Sequence, residues 1–149
     1  MRLSAAFALA ALTLRALSSR FQRIAVVGNS MAPQLLPGDR LLVWKSRRPG
    51  TLRPGDVVVA PDPREPERAL VKRLAAIDGS LAWLAGDNPD RSTDSRDFGP
   101  VPLSSVVGRA VYRYAPATRA GRLDHGPSPT VPSPTGRPPA GSAIGRSEA

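Results

Sequence analysis

The chain has 149 residues, with 21 Lys and Arg against 12 Asp and Glu, a net charge of +9. That length holds one domain, and 17 Pro with 13 Gly are too many for a helical bundle. The absence of cysteine excludes a disulfide framework, a thiol nucleophile, a zinc ribbon and an iron–sulfur centre, and a single histidine argues against a multi-histidine metal site or a Ser-His-Asp triad, so no metal or cofactor is expected and any catalysis needs another base.

Composition shifts divide the chain into a segment 1–23, a middle 24–116 and a tail 117–149, carrying +4, +3 and +2 respectively. The excess charge lies in the flanks. A nucleic-acid footprint would concentrate it on the folded middle, so no nucleic-acid partner is expected. In the first segment the apolar run Leu3–Leu14 is interrupted by Arg15, short of the roughly 20 residues of a spanning helix. On a helical wheel Leu3, Phe7, Leu14, Leu17 and Phe21 share a stripe opposite Arg2, Arg15, Arg20 and Arg23, which predicts a short amphipathic helix able to contact a membrane surface. No small-residue cleavage site marks it as a removed signal peptide.

From Ile24 onward β-branched runs alternate with Pro-Gly turns. Strands are expected at Ile24–Val27, Arg40–Trp44 after Pro37-Gly38-Asp39, and Asp56–Ala60 after Pro54-Gly55. Leu70–Ile77 and Ser80–Ala85 read as a hairpin about Asp78-Gly79, a dipeptide favoured in type I′ turns, and Val106–Tyr114 closes the series. The fold class is mainly β: a small sandwich or partly closed barrel, with little helix. The tail has 15 Pro, Gly or Ser among its 33 residues and is expected to be disordered.

Ser30 follows the first strand in Gly28-Asn29-Ser30-Met31-Ala32-Pro33, between a glycine and a proline that shape the turn. In Leu70-Val71-Lys72-Arg73-Leu74, period-two alternation sets Lys72 among leucines. Burial there disfavours the ammonium and gives an amine able to deprotonate a serine near neutral pH. Downstream lie Gly86-Asp87-Asn88 and Ser92-Thr93-Asp94-Ser95-Arg96.

These boxes, in this order and together with Gly38-Asp39 and Gly55-Asp56-Val57-Val58, resemble those of the type I signal peptidases, the Ser/Lys endopeptidases of family S26. The resemblance implies a small signal-peptidase-like β-domain in which Ser30 is the nucleophile, Lys72 the general base and Ser92 the residue that orients the lysine. It implies structural support from Arg73, Asp94 and Arg96; an Asp94–Arg73 ion pair is expected, with Asp87 and Asn88 as turn formers. Gly28 stands where some members have a serine in the oxyanion hole. Only the 12 residues 74–85 separate Lys72-Arg73 from Gly86-Asp87-Asn88, so a large second domain has no room.

Within the family the chain looks most like the nickel-type superoxide dismutase maturation proteases, which remove a leader from a precursor. Its partner would then be a precursor with an N-terminal leader peptide. The arginines on the domain side of segment 1–23 favour a cytoplasmic or cytoplasmic-membrane location. The alternative is a membrane-anchored signal peptidase with its domain outside. A self-cleaving repressor-like protein lacks room for a helix-turn-helix in 23 residues, and an inactive binding module would not need both Ser30 and Lys72.

Overall fold

The computed structural model describes residues 19–46 and 49–131. Eight strands form one antiparallel sheet: β1 (Phe21–Ala25), β2 (Arg40–Lys45), β3 (Val57–Asp62), β4 (Glu65–Asp78), β5 (Leu81–Ala85), β6 (Val101–Pro102), β7 (Gly108–Ala115) and β8 (Gly121–Arg122). The only α-helix among the described residues is the one-turn α1 (Ser95–Phe98). The order across the sheet is β1-β2-β7-β3-β4-β5-β6, with β8 also on β7. The fold is thus mainly β, as the runs of β-branched residues predicted.

Strand β3 shows why the sheet carries a core on each face. Its residues Val57 to Ala60 are all buried, and alternation divides them. Val58 and Ala60 join Leu74, Leu84 and Val106 in one cluster, whereas Val57 and Val59 join Met31, Leu35, Leu41 and Val43 in the other. The second cluster anchors the segment after β1, because Met31 and Leu35 are its own core residues. Phe21 packs edge-on against Trp44 at 4.9 Å, so Phe21–Arg23, expected as the end of a helix, is instead strand. Of the rest of that expected helix, Ser19-Arg20 is a turn and residues 1–18 lie outside the described residues.

The hairpin between β4 and β5 has the expected two-residue connection, with Asp78 opposite Leu81. Gly79 has φ +56 and Ser80 is not left-handed, so glycine stands first, as in a type II′ turn and not the type I′ turn expected.

The largest departure concerns the expected disordered tail. Ala117–Arg119 is a 3₁₀ turn whose Arg119 reaches buried Asp39 at 2.8 Å, and β8 adds to β7. Beyond it the Gly126 N–H donates to the Gly55 carbonyl, Ser128 Oγ bonds to the Ala75 carbonyl, and Val131 is buried with Ala75, Trp83 and Ala85. Proline and glycine counts could not reveal this, since a strap needs only a few well-placed contacts. Residues 132–149 lie outside the described residues.

Candidate active site

The segment carrying Ser30 is held at both ends. The Val26 N–H donates to the Asp39 carbonyl at 2.8 Å and the Gly38 N–H to the Val26 carbonyl at 2.9 Å; further on, Leu35 N–H donates to Met31. With Val26 before it and Met31 and Leu35 after it locked in the core, Ser30 is half-buried at a cleft of about 700 Å³. Lys72, on β4 opposite Val58, lines the same cleft. Ser30 and Lys72, chosen from sequence, are therefore brought together, with no hydrogen bond yet between Oγ and Nζ.

Lys72 is 4% exposed, and its Nζ donates to Ser92 Oγ at 2.9 Å. The Ser92 hydroxyl in turn donates to Asp94 Oδ2 at 2.6 Å. This order of donors fixes the Ser92 lone pair toward the lysine. Burial pushes the Lys72 amine down to about 8, opposed by the nearby Asp94 carboxylate and assisted by Arg68 and Arg96. About a tenth of Lys72 is then neutral at pH 7.

Asp94 is fully buried. Burial alone would raise its pKa, but hydrogen bonds from the Arg96 guanidinium, the Ser92 hydroxyl and the N–H groups of Gly86 and Arg96 hold it well below the usual carboxylate range. Its side chain also caps α1, while Asp97 reaches back to the Asp94 N–H in a capping box. Arg96 contacts Asp94 at 2.9 and 2.6 Å. Asp94 and Arg96 thus tie Gly86, Ser92 and the start of α1 into one hydrogen-bonded cluster.

Arg73 does not meet Asp94, contrary to the expected ion pair. It is 2% exposed and grips Asp87 with two bonds of 2.7 Å. It further donates to the Gly55 carbonyl at 2.7 Å and to Gln34 Oε1. The reason is the strand period: Lys72 and Arg73 point to opposite faces, and Asp94 lies on the lysine's. Asp87 is accordingly an ion-pair partner as well as a turn residue. The Asn88 N–H donates to the Ser30 carbonyl at 2.9 Å, tying the two loops together.

Gly86, named in sequence only as the first residue of the Gly86-Asp87-Asn88 box, has a steric role at the site. A Cβ there would stand 2.2 Å from Ser92 Oγ and 2.6 Å from the Ser30 carbonyl, so only glycine lets the two serine-bearing loops converge. Gly28, in contrast, has nothing within 4 Å of a would-be Cβ. Gln34 gave no signal at all. Among the described residues no cluster of His, Asp and Glu could hold a metal ion.

With this geometry in view, the comparisons with known proteins are decisive. The chain matches the family "Signal peptidase, peptidase S26" over residues 1–81 and 80–115. It belongs to that family. It is 37% identical over 122 residues to mitochondrial ATP-independent inner membrane protease subunit 1a of Arabidopsis thaliana, covering 66% of this chain and 73% of that protein. It is 33% identical to mitochondrial inner membrane protease subunit 1 of Xenopus tropicalis (68% and 73% covered) and 31% identical to subunit 2 from Schizosaccharomyces pombe (67% and 68% covered). This S26 peptidase is therefore a serine-type endopeptidase of the leader-removing class. No helix among the described residues is long and apolar enough to cross a membrane.

Proposed function

We propose that this S26 peptidase removes an N-terminal leader from a precursor protein with Ser30 as nucleophile and Lys72 as general base. The observation that carries the reading is a buried lysine amine whose partner is a hydroxyl and not a carboxylate, in the cleft that also holds Ser30. The precursor would lie extended between two strand edges that line the cleft and are unpaired among the described residues, β1 and the Ala69–Lys72 stretch of β4. Neutral Lys72 takes the Ser30 proton as Oγ adds to the scissile carbonyl, and then delivers it to the leaving amine. Ser92 acts as a positioning residue by holding Nζ. The acyl-enzyme is released by water activated by the same amine. The Ser30 N–H stabilises the developing oxyanion, and open space at Gly28 leaves room for a water donor.

The resemblance to the nickel-type dismutase maturation proteases makes that precursor the proposed substrate, cut on the cytoplasmic side with the segment before β1 in peripheral membrane contact. The names of the relatives favour a second reading, an anchored protease acting on precursors at a membrane.

Purified protein should cleave a leader-bearing precursor at one bond, and Ser30→Ala, Lys72→Met and Lys72→Arg should each lower kcat at least about a thousandfold, because arginine stays protonated. Turnover near the wild-type rate by any of them would overturn the dyad. Cleavage of the dismutase precursor but not of a secretory preprotein supports the first substrate. Carbonate-resistant membrane association with digestion from outside spheroplasts supports the second reading.

A further inference from the structure

Five cationic side chains line the cleft, Arg23, Arg64, Arg68, Lys72 and Arg91, and no Asp or Glu does. Two are committed: Lys72 to Ser92, and Arg64 to Asp62 at 2.8 Å. Arg23, Arg68 and Arg91 are exposed and enter none of the ion pairs among the described residues. They come from three separate elements, β1, β4 and the 3₁₀ turn Pro89–Arg91. Convergence of unpaired guanidiniums on a concave site raises the local concentration of anions and is a repulsive cost with no structural return.

The strand rise locates these charges along a bound peptide. Arg68 and Lys72 both line the cleft from β4, four residues or about 13 Å apart in extended chain, while Glu65 and Glu67, at the irregularity where β4 departs from its register with β3, do not line it. A substrate extended beside β4 advances at the same rate. A residue about four positions from the scissile bond therefore comes abreast of Arg68, with Arg23 on the facing strand. Arg91, adjoining Ser92, stands nearer the bond.

We propose that the cleft selects precursors carrying Asp or Glu about four residues from the scissile bond, held by Arg68 and Arg23, with Arg91 as a further cation close to it. This rests on the protease reading for the location of the cut bond, but not for the charge preference itself. A cleft lined by strand edges suits an extended acidic peptide better than it suits a flat layer of anionic lipid headgroups.

The test uses the full chain and a peptide set identical except for Glu, Gln or Lys, placed in turn at each of about five positions either side of the bond. Binding to the Ser30→Ala chain, by fluorescence anisotropy, reads the charge preference without chemistry; kcat/KM with wild type reads it with chemistry. Glu three to five residues from the bond should be favoured over Gln by about three- to tenfold, with Lys disfavoured, and the gain should shrink at about 0.5 M salt. In Arg23→Gln/Arg68→Gln, checked for an unchanged melting temperature, the Glu-to-Gln ratio should fall close to one. A ratio of one in the Ser30→Ala chain at low salt, or an unchanged ratio in the double variant, would overturn the proposal. So would loss of binding to phosphatidylglycerol vesicles in that variant without any peptide preference in the parent, which would assign the arginines to lipid. Charge-selective binding without cleavage would leave the proposal standing while removing the protease reading.

Discussion

Lys72 and Arg73 are neighbours on β4, both cationic and both nearly inaccessible, yet their surroundings are opposite. Arg73 receives a carboxylate in two-point contact, a carbonyl and an amide oxygen, so its charge is matched on every side. Lys72 receives one hydroxyl, and the carboxylate behind that hydroxyl already serves Arg96. A fully compensated buried ion stays an ion; an under-compensated one is pushed toward its neutral form. The difference separates an ion that holds loops together from an amine available to move a proton.

The comparison breaks most severely if the Arg73 ion pair is cut from one side. Arg73→Leu leaves Asp87 without its counter-ion, and Asp87→Leu strands a guanidinium that is 2% exposed. Each should cost about 3–5 kcal/mol, enough to lower the melting temperature by well over 10 °C in a domain of this size. Because Arg73 also reaches Gln34, just past the Ser30 turn, activity should fall with the fold in both variants. Thermal unfolding checks this, and a melting temperature within a few degrees of wild type would show that the ion pair is dispensable.

The Lys72 side predicts the reverse sign. With a folded value of about 8 against 10.5, the unfolded chain binds more protons between these pH values, so stability rises with pH across that window. Below pH 8 the fold carries the charged form of a largely buried amine, so Lys72 subtracts from stability there. Lys72→Met, though inactive, should therefore melt higher than wild type at pH 6–7, and the gap should close toward pH 10. Wild-type turnover should climb with a midpoint near pH 8 as the amine deprotonates. A stability difference independent of pH would mean that Lys72 is solvated.

Much of this was legible from residue order. The β-branched runs marked the central strands, and the alternation in Leu70–Leu74 marked Lys72 as buried among leucines, because period two is a local property. What eluded the sequence was pairing at a distance. Arg73 has carboxylates available at both 87 and 94, and only the path of the loop decides between them. Gly86 looks like any turn glycine until Ser92 and Ser30 close on it from two sides. The strap after Pro116 was hidden by its composition, since one buried Val131 and a few backbone bonds leave no periodic trace.

That strap sharpens the comparison, because it covers Arg73 and does not line the cleft. Gly126 lies so close that a Cβ there would be 2.5 Å from Arg73 Nη1, and its N–H bonds to the same Gly55 carbonyl that Arg73 uses. His125 Nδ1 sits 3.0 Å from the buried carboxylate of Asp56 beside it. Truncation after Leu123 keeps the 3₁₀ turn and β8 but lets water reach the guanidinium and uncovers Trp83. Water can replace the lost backbone bonds, so the expected cost is about 1–2 kcal/mol, below that of cutting the ion pair itself. The midpoint of the pH–activity profile should stay near 8, since none of the groups around Lys72 belongs to the strap. Calorimetry and a pH profile on the truncated chain check both halves. Unchanged stability would show that the strap rests on the domain without holding it, and a shifted midpoint would show that the two faces of β4 are not independent.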